Sequence, residues 1–248
     1  HDYVSKEVIN VRENVGLIEV ANFSKHEFKG PDARKFLDHI MAGRLPKPGR
    51  ISLSPMLSYR GKLCGDLTVA CLDENEFMVF GSGAAQEMHR RWFESHIDKF
   101  NLSYSNRSDE YHGLSIAGPN SRKVLEKIVR DDVSNEKFKF RDSRRMFVGG
   151  VPAIINRISF TGELGYEIYV APHYQLKLYE ELMEAGKEFN IKPFGGRALM
   201  SMRLEKNWGA WTLDYRPDFT AKETGLDAFI NWDKEFIGKE SAQKENSS

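Results

Sequence analysis

Two stretches of this chain, Gly30–Ile40 (GPDARKFLDHI) and Gly118–Ile128 (GPNSRKVLEKI), repeat one another in register. Glycine, proline, arginine, lysine, leucine and isoleucine recur at the same six places. Each copy follows a short apolar-alternating run, HEFK before the first and LSIA before the second. Two readings fit. The repeat can be a duplicated strand–GP–helix unit, or Gly-Pro can simply be a common way to begin a helix. The separation is too long for a solenoid, so duplication implies two related α+β halves packed together.

The spacing around the copies supports the same class. Val4, Val8, Val11 and Val15 recur at helical intervals, which predicts a first helix closed by Gly16. LIEV (17–20) reads as a strand. Ala33, Phe36, Leu37, Ile40 and Met41 share one helical face, with Pro31 in the first turn. KLCGDLTVACL and EFMVFGSG read as two strands joined by the polar turn Asp73–Glu76. Met88, Trp92, Phe93, His96, Ile97 and Phe100 predict a helix face on which His96 is partly buried. In the second half, VPAIINRISF reads as a strand, TGELG as a turn and YEIYV as a strand. A helix carries Leu178, Leu182 and Ala185, and Gly195–Lys206 forms another. WGAWTLDYRPDFTAKETG reads as loop, and the polar tail KESAQKENSS as a frayed end.

Composition sets outer limits. The chain has 248 residues, 36 basic and 36 acidic side chains and no formal net charge. That balance argues against a nucleic-acid partner. No apolar run approaches a membrane span, and no signal peptide is visible. Cys64 and Cys71 lie on opposite faces of one extended segment, so neither a disulfide nor a structural zinc site is expected, and a reducing compartment fits. No metal site is expected. The chain begins at His1 without a methionine, as a processed or trimmed piece of something longer would.

Two carboxylates stand out. Glu167 sits in the strand after the TGE turn, on the face it shares with Tyr169 and opposite Tyr166, Ile168 and Val170. It either faces solvent or lines a pocket, where a carboxylate accepts two parallel N–H bonds from a flat ligand edge. Asp66 opens an apolar strand. It is either a strand-end aspartate or a pocket carboxylate able to take a proton or hold a cation.

The order VGLIEVANFSKHEFKGPDARKFLDHI, SPMLSYRGKLCGDLTV, GLSIAGPNSRKVLEKI, RISFTGELGYEIYV, RLEK resembles the aminomethyltransferase (glycine cleavage T-protein) family. FTGELGYEIY followed by RLEKNWGAW is especially similar to the C-terminal, folate-binding part of dimethylglycine and sarcosine dehydrogenases. The likeness covers nearly the whole chain. It implies an α+β fold with two related subdomains, mainly antiparallel sheets flanked by helices, and no C-terminal β-barrel, because the chain stops near FIGKESAQK where that barrel would begin. It implies one folate-binding domain over 1–248, with two interleaved subdomains meeting near residue 113.

The resemblance also implies a function: tetrahydrofolate-dependent one-carbon transfer, giving methylenetetrahydrofolate from an iminium derived from an N-methyl amine, or from formaldehyde. The family's pterin-binding glutamate matches Glu167 and its catalytic aspartate matches Asp66. Where the family carries two adjacent acids, the first is here Gly65. Leu199 stands where T-proteins have a folate-contacting arginine, with Arg197 two residues earlier as a candidate substitute. Arg203 and Glu205 read as structural. Tyr59 and Trp211 are candidate aromatic walls for a pterin, or plain core, and Tyr169 would line the same pocket as Glu167.

Tetrahydrofolate is the implied cofactor. FAD belongs only to a flavin-dependent dehydrogenase domain or subunit, a candidate partner, since no GxGxxG fingerprint is present here. The implied location is cytoplasmic, or the mitochondrial matrix in a eukaryote. Three rivals remain: a folate-binding module without catalysis or a fragment of a larger dehydrogenase, a folate-dependent iron–sulfur or tRNA-maintenance protein, and a non-catalytic interaction domain, which a pocket too shallow for folate would favour. The second lacks its KGCYxGQE-type cysteine, because this chain has SFTGELGYE.

Overall fold

The computed structural model describes residues 2–246. In chain order the first elements are α1 (Asp2–Glu13), β1 (Val15–Glu19), β2 (Ser24–Lys29), α2 (Ala33–Ile40), β3 (Arg50–Leu57), β4 (Leu63–Asp73), β5 (Glu76–Gly81) and α3 (Gln86–Glu94). They are followed by β6 (Ser103–Asn106), β7 (His112–Ala117), α4 (Ser121–Ile128), β8 (Ser143–Val148), β9 (Val151–Asn156) and β10 (Gly165–Val170). The last are α5 (Gln175–Gly186), β11 (Ile191–Pro193), α6 (Gly196–Glu205) and α7 (Lys239–Asn246).

The chain forms two compact units. One holds the residues up to Asn22 together with Asp109–Trp208; the other holds Phe23–Ser108 and the chain from Gly209 onward. Each has its own sheet. In the first unit the strand order is β11-β1-β7-β10-β9-β8, antiparallel except for the β1–β11 pair. In the second it is β3-β4-β5-β2-β6, antiparallel throughout.

The two orders share a four-strand core: β7, β8, β9 and β10 of the first unit, with α4 after β7, correspond to β2, β3, β4 and β5 of the second, with α2 after β2. β1 and β6 take the same place beside β7 and β2 but differ in connection, since β1 precedes its core in the chain and β6 follows its own, and β11 has no counterpart. In each, a three-strand antiparallel meander ends beside the strand that feeds the GP turn. The duplication is therefore real and reaches well past the eleven quoted residues. Gly30 and Gly118 explain why the glycine recurs: their φ angles are +137° and +135°. A Cβ at Gly30 would lie 2.8 Å from the Leu102 backbone, and one at Gly118 2.5 Å from the Asn14 carbonyl. Both helices then run eight residues and turn into extended chain. Phe36, Leu37 and Ile40 seal the second unit's core, and Val124 and Leu125 the first unit's. Each such apolar side chain contributes about 1.5–3 kcal/mol by leaving water.

The structure corrects several expectations. The first helix stops at Glu13, and Val15 and Gly16 belong to β1. Gly16 is there for close packing: a Cβ would sit 2.5 Å from Val11 and 2.6 Å from Phe194. Pro31 precedes α2 rather than lying in its first turn. The third helix ends at Glu94, so His96, Ile97 and Phe100 follow it in turns, and its buried residues are His89 and Phe93. The strand in VPAIINRISF ends at Asn156. β3, β6 and β8 were not visible in the pattern. All three are edge strands, which tolerate polar residues and, in β3, Pro55. The tail is helical over Lys239–Asn246, where Ala242 is buried and Ser241 donates to the Tyr59 carbonyl (2.8 Å). Ser247 and Ser248 lie outside the described residues. Among the described residues no helix is long and apolar enough to cross a membrane.

Candidate functional site

The strand β10 is buried along its whole length. Tyr166, Ile168 and Val170 enter the first unit's core, as alternation requires. Glu167 and Tyr169 occupy the other face and are buried as well, at 8% and 0% exposure. The solvent-facing reading of Glu167 is thus excluded. Tyr169 donates its hydroxyl to Glu167 Oε2 at 2.8 Å. The tyrosine fits because Gly113 lies opposite it, where a Cβ would come within 2.7 Å of the ring.

Register extends this into a polar row. Glu167 pairs with Ser115 on one side and Asn156 on the other, and Asn156 pairs with Ser143. Side chains of directly paired residues share a face. Ser143 donates to Asn156 Oδ1 at 2.7 Å, which leaves Asn156 Nδ2 buried without a partner. A buried donor left unmade is costly, so it marks a place where something else supplies the acceptor. Burial pushes the Glu167 carboxyl up to about 7, against the pull of the Tyr169 hydrogen bond. An acceptor carboxylate, a fixed tyrosine and an idle amide donor on one dry strip suit a flat polar ring that has both N–H donors and an acceptor along its edge.

Asp66 lies in the second unit, in β4, where it pairs with Pro55 of the edge strand. It keeps partial exposure, yet desolvation lifts its carboxyl to about 7, opposed by its own backbone N–H. A carboxyl that titrates near neutrality can take up or release a proton in working conditions. Gly65, where an acid was expected, leaves room for His89. A Cβ there would meet His89 Nε2 at 2.8 Å. His89 is buried and reaches the Cys64 carbonyl at 3.0 Å through Nε2. A carbonyl only accepts, so Nε2 carries the proton and Nδ1 keeps its lone pair. Burial holds His89 down to about 4, so the ring is neutral.

Trp211 packs 6.2 Å from the His89 ring, while Tyr59 is 65% exposed and hydrogen-bonds His96 Nε2 at 2.7 Å. The ring contacts of Tyr59 are Trp92 and His96, so the two aromatic-wall candidates have different neighbours. Arg197 is exposed at the start of α6, and Leu199 is half-buried. Arg203 is buried and donates to the Trp208 carbonyl at 2.7 Å, and Glu205 pairs with Arg12 at 2.6 Å; both are structural. Sequence reading missed His89, Asn156 and Ser115. The helix phase of α3, with Phe93 four residues on, could have exposed His89. Asn156 and Ser115 are set by strand register, which a single strand does not carry.

Residues 1–234 match the family of the GCVT N-terminal domain. The chain is similar to mitochondrial dimethylglycine dehydrogenase of Mus musculus, 36% identical over 246 residues, 97% of this chain and 28% of that protein. It is also similar to an aminomethyltransferase of Desulfitobacterium hafniense strain Y51, 30% identical over 240 residues, 95% of this chain and 65% of that one. The chain thus spans little more than a quarter of the dehydrogenase relative. The crystal structure of aminomethyltransferase T of the glycine cleavage system from Bartonella henselae superposes with a TM-score of 0.88 over 98% of this chain and 66% of that one, at 23% identity, which shows the fold.

Proposed function

This chain belongs to the family of the GCVT N-terminal domain, and on that premise we propose that it binds a reduced folate and catalyses transfer of a one-carbon unit to it. The observation that carries the reading is Glu167, a carboxylate held inside a sheet by one tyrosine, with an idle amide donor in register beside it. The donor set fits a pterin edge. Glu167 accepts the paired N–H groups, Asn156 Nδ2 donates to a ring acceptor, and Tyr169 fixes the carboxylate before the ligand arrives. Two further N–H donors would draw the Glu167 carboxyl back toward its ionised form.

The folate supplies the nucleophilic nitrogens that take up the one-carbon unit. Asp66, as its carboxylate, would stabilise the cationic electrophile and accept a proton lost by the attacking nitrogen. The carbon's bond to the parent amine, or to oxygen where formaldehyde is the source, breaks as the second C–N bond forms, and the protons given up leave with the released amine or in water. Positioning the reactants supplies much of the remaining rate. His89 holds the strand beside Asp66 and packs against Trp211. Tyr59, Trp211 and Arg197 are assigned to folate binding, the first two as aromatic walls and the third toward the carboxylate tail. The electrophile is an iminium derived from an N-methyl amine, or formaldehyde, made by a flavin-dependent dehydrogenase domain or subunit. The two free thiols of Cys64 and Cys71 suit the cytoplasm or the mitochondrial matrix.

The test is turnover of formaldehyde and tetrahydrofolate above the uncatalysed rate. Asp66→Asn should lower that rate at saturating folate, while Glu167→Gln should chiefly raise the folate concentration needed. Equal loss of binding in both, with no effect on the transfer step, would sink the division of roles. Binding without turnover by the unsubstituted chain would favour the non-catalytic module.

A further inference from the structure

The second unit carries a three-part hydrogen-bonded chain, Tyr59–His96–Trp92, whose chemistry the folate reading does not use. α3 ends at Glu94, so the carbonyls of its last turn need partners beyond the helix. The Trp92 carbonyl finds them in side chains. The Ser95 hydroxyl donates to it at 2.9 Å, and His96 Nδ1 lies 2.6 Å from it and 2.9 Å from Ser95 Oγ. The opposite ring nitrogen, Nε2, lies 2.7 Å from the Tyr59 hydroxyl. Tyr59 comes from the turn between β3 and β4 and is held there: the Gly61 N–H donates to the Ser58 carbonyl at 2.9 Å, and the Ser241 hydroxyl to the Tyr59 carbonyl at 2.8 Å.

The contacts fix the direction of each bond. A carbonyl only accepts, and two lone pairs 2.6 Å apart would repel, so Nδ1 carries the ring proton. In the uncharged ring Nε2 therefore keeps its lone pair and accepts from the Tyr59 hydroxyl. A hydroxyl that donates to an imidazole, whose other nitrogen is oriented by a third group, is the arrangement that activates a nucleophile. The Trp92 ring lies 4.5 Å from the imidazole and 5.7 Å from the phenol, packed against both. Tyr59 is 65% exposed, so the phenol is open to a reagent from solution.

We propose that Tyr59 is an acyl-accepting nucleophile with His96 as its general base, and that the substrate class is the activated carboxylic ester. The Tyr59 oxygen attacks the acyl carbon as its proton passes to His96 Nε2. The bond from the acyl carbon to the alcohol oxygen breaks, and its electron pair leaves with that oxygen. The imidazolium returns its proton to the leaving group or to water. The product is a tyrosyl ester, and nothing is oxidised or reduced. Every residue involved lies in the second unit, and the proposal does not rest on the folate reading.

The probe is p-nitrophenyl acetate, added to the purified chain without folate. Nitrophenolate release is followed by absorbance, and acetylated peptides are mapped by mass spectrometry. Tyr3 is the reference within the same chain: it is 82% exposed against 65% for Tyr59, so exposure alone would favour Tyr3. General-base assistance should acetylate Tyr59 at least about tenfold faster than Tyr3. His96→Gln can still accept the Tyr59 hydrogen bond but cannot take the proton, and it should bring Tyr59 down to the Tyr3 rate. Tyr59→Phe should remove the fast phase of nitrophenolate release. Thermal melts of both variants establish that they are folded, and the comparison of Tyr59 with Tyr3 needs no variant. A Tyr59 rate no faster than that of Tyr3, an acetyl group on His96 in place of Tyr59, or an unchanged Tyr59 rate in folded His96→Gln would overturn the proposal.

Discussion

Glu167→Gln should make the protein more stable at pH 8 and change little at pH 5. The carboxyl lies in the sheet at 8% exposure, and burial raises it from an ordinary value of 4.5 to about 7. The unfolded chain ionises this group first. Below pH 4.5 it is protonated in both states and contributes no pH dependence. Between 4.5 and 7 the unfolded state alone loses the proton, so stability falls as pH rises, and above 7 the full penalty persists. The displacement corresponds to about 3 kcal/mol at neutral pH. Glutamine has the same shape and no charge, and it can still accept from the Tyr169 hydroxyl. Its extra amide hydrogens need partners, which offsets part of the gain, so about 1–3 kcal/mol should appear. The assay is urea unfolding of both proteins at pH 5 and pH 8. With two compact units the transition of the first must be followed by itself. Asp66 titrates in the same range but is present in both proteins and cancels in the difference. A Glu167→Gln protein destabilised equally at both pH values would refute the reasoning, because the carboxylate would then be favourable where it sits.

Three further outcomes follow from the geometry. Transfer activity should rise as pH increases through about 7, because Asp66 is competent as carboxylate and its carboxyl titrates there; a rate profile flat from pH 6 to 8 would count against it. Tyr169→Phe removes the hydrogen bond that lowers Glu167, so the carboxyl should titrate higher still and folate affinity should drop about tenfold, as calorimetry at pH 7 would show. Gly118→Ala places a Cβ 2.5 Å from the Asn14 carbonyl at φ +135°, and Gly30→Ala meets Leu102 in the same way. Each should cost at least about 1–3 kcal/mol, and an unchanged melting temperature would mean that the turn relaxes without strain.

How much of this was legible beforehand depends on what fixes each feature. The GP copies exposed the duplication because backbone sterics demand a glycine at each, and sterics are written in residue type. Interior strands such as β4, β5 and β10 showed their apolar runs. Edge strands did not, since β6 (SYSN) and β8 (SRRMFV) need bury only one side and carry no continuous apolar signal. Gly16 read as a helix stop because a glycine that caps and a glycine that permits close packing look alike in sequence. Of the site, Glu167 and Asp66 were conspicuous as charges within apolar strands. Asn156, Ser115 and His89 were not, because their importance comes from register and helix phase, and neither is encoded within the segment that carries the residue.

The central claim is that Glu167 exists to hold a reduced folate. The direct measurement is calorimetric titration of the purified chain with 5-formyltetrahydrofolate, alongside Glu167→Gln shown to be folded. The account predicts one saturable site in the unsubstituted chain and at least about a hundredfold weaker binding in the variant, the loss expected when a carboxylate that accepts two N–H bonds is removed. Equal affinity in the two proteins would contradict it.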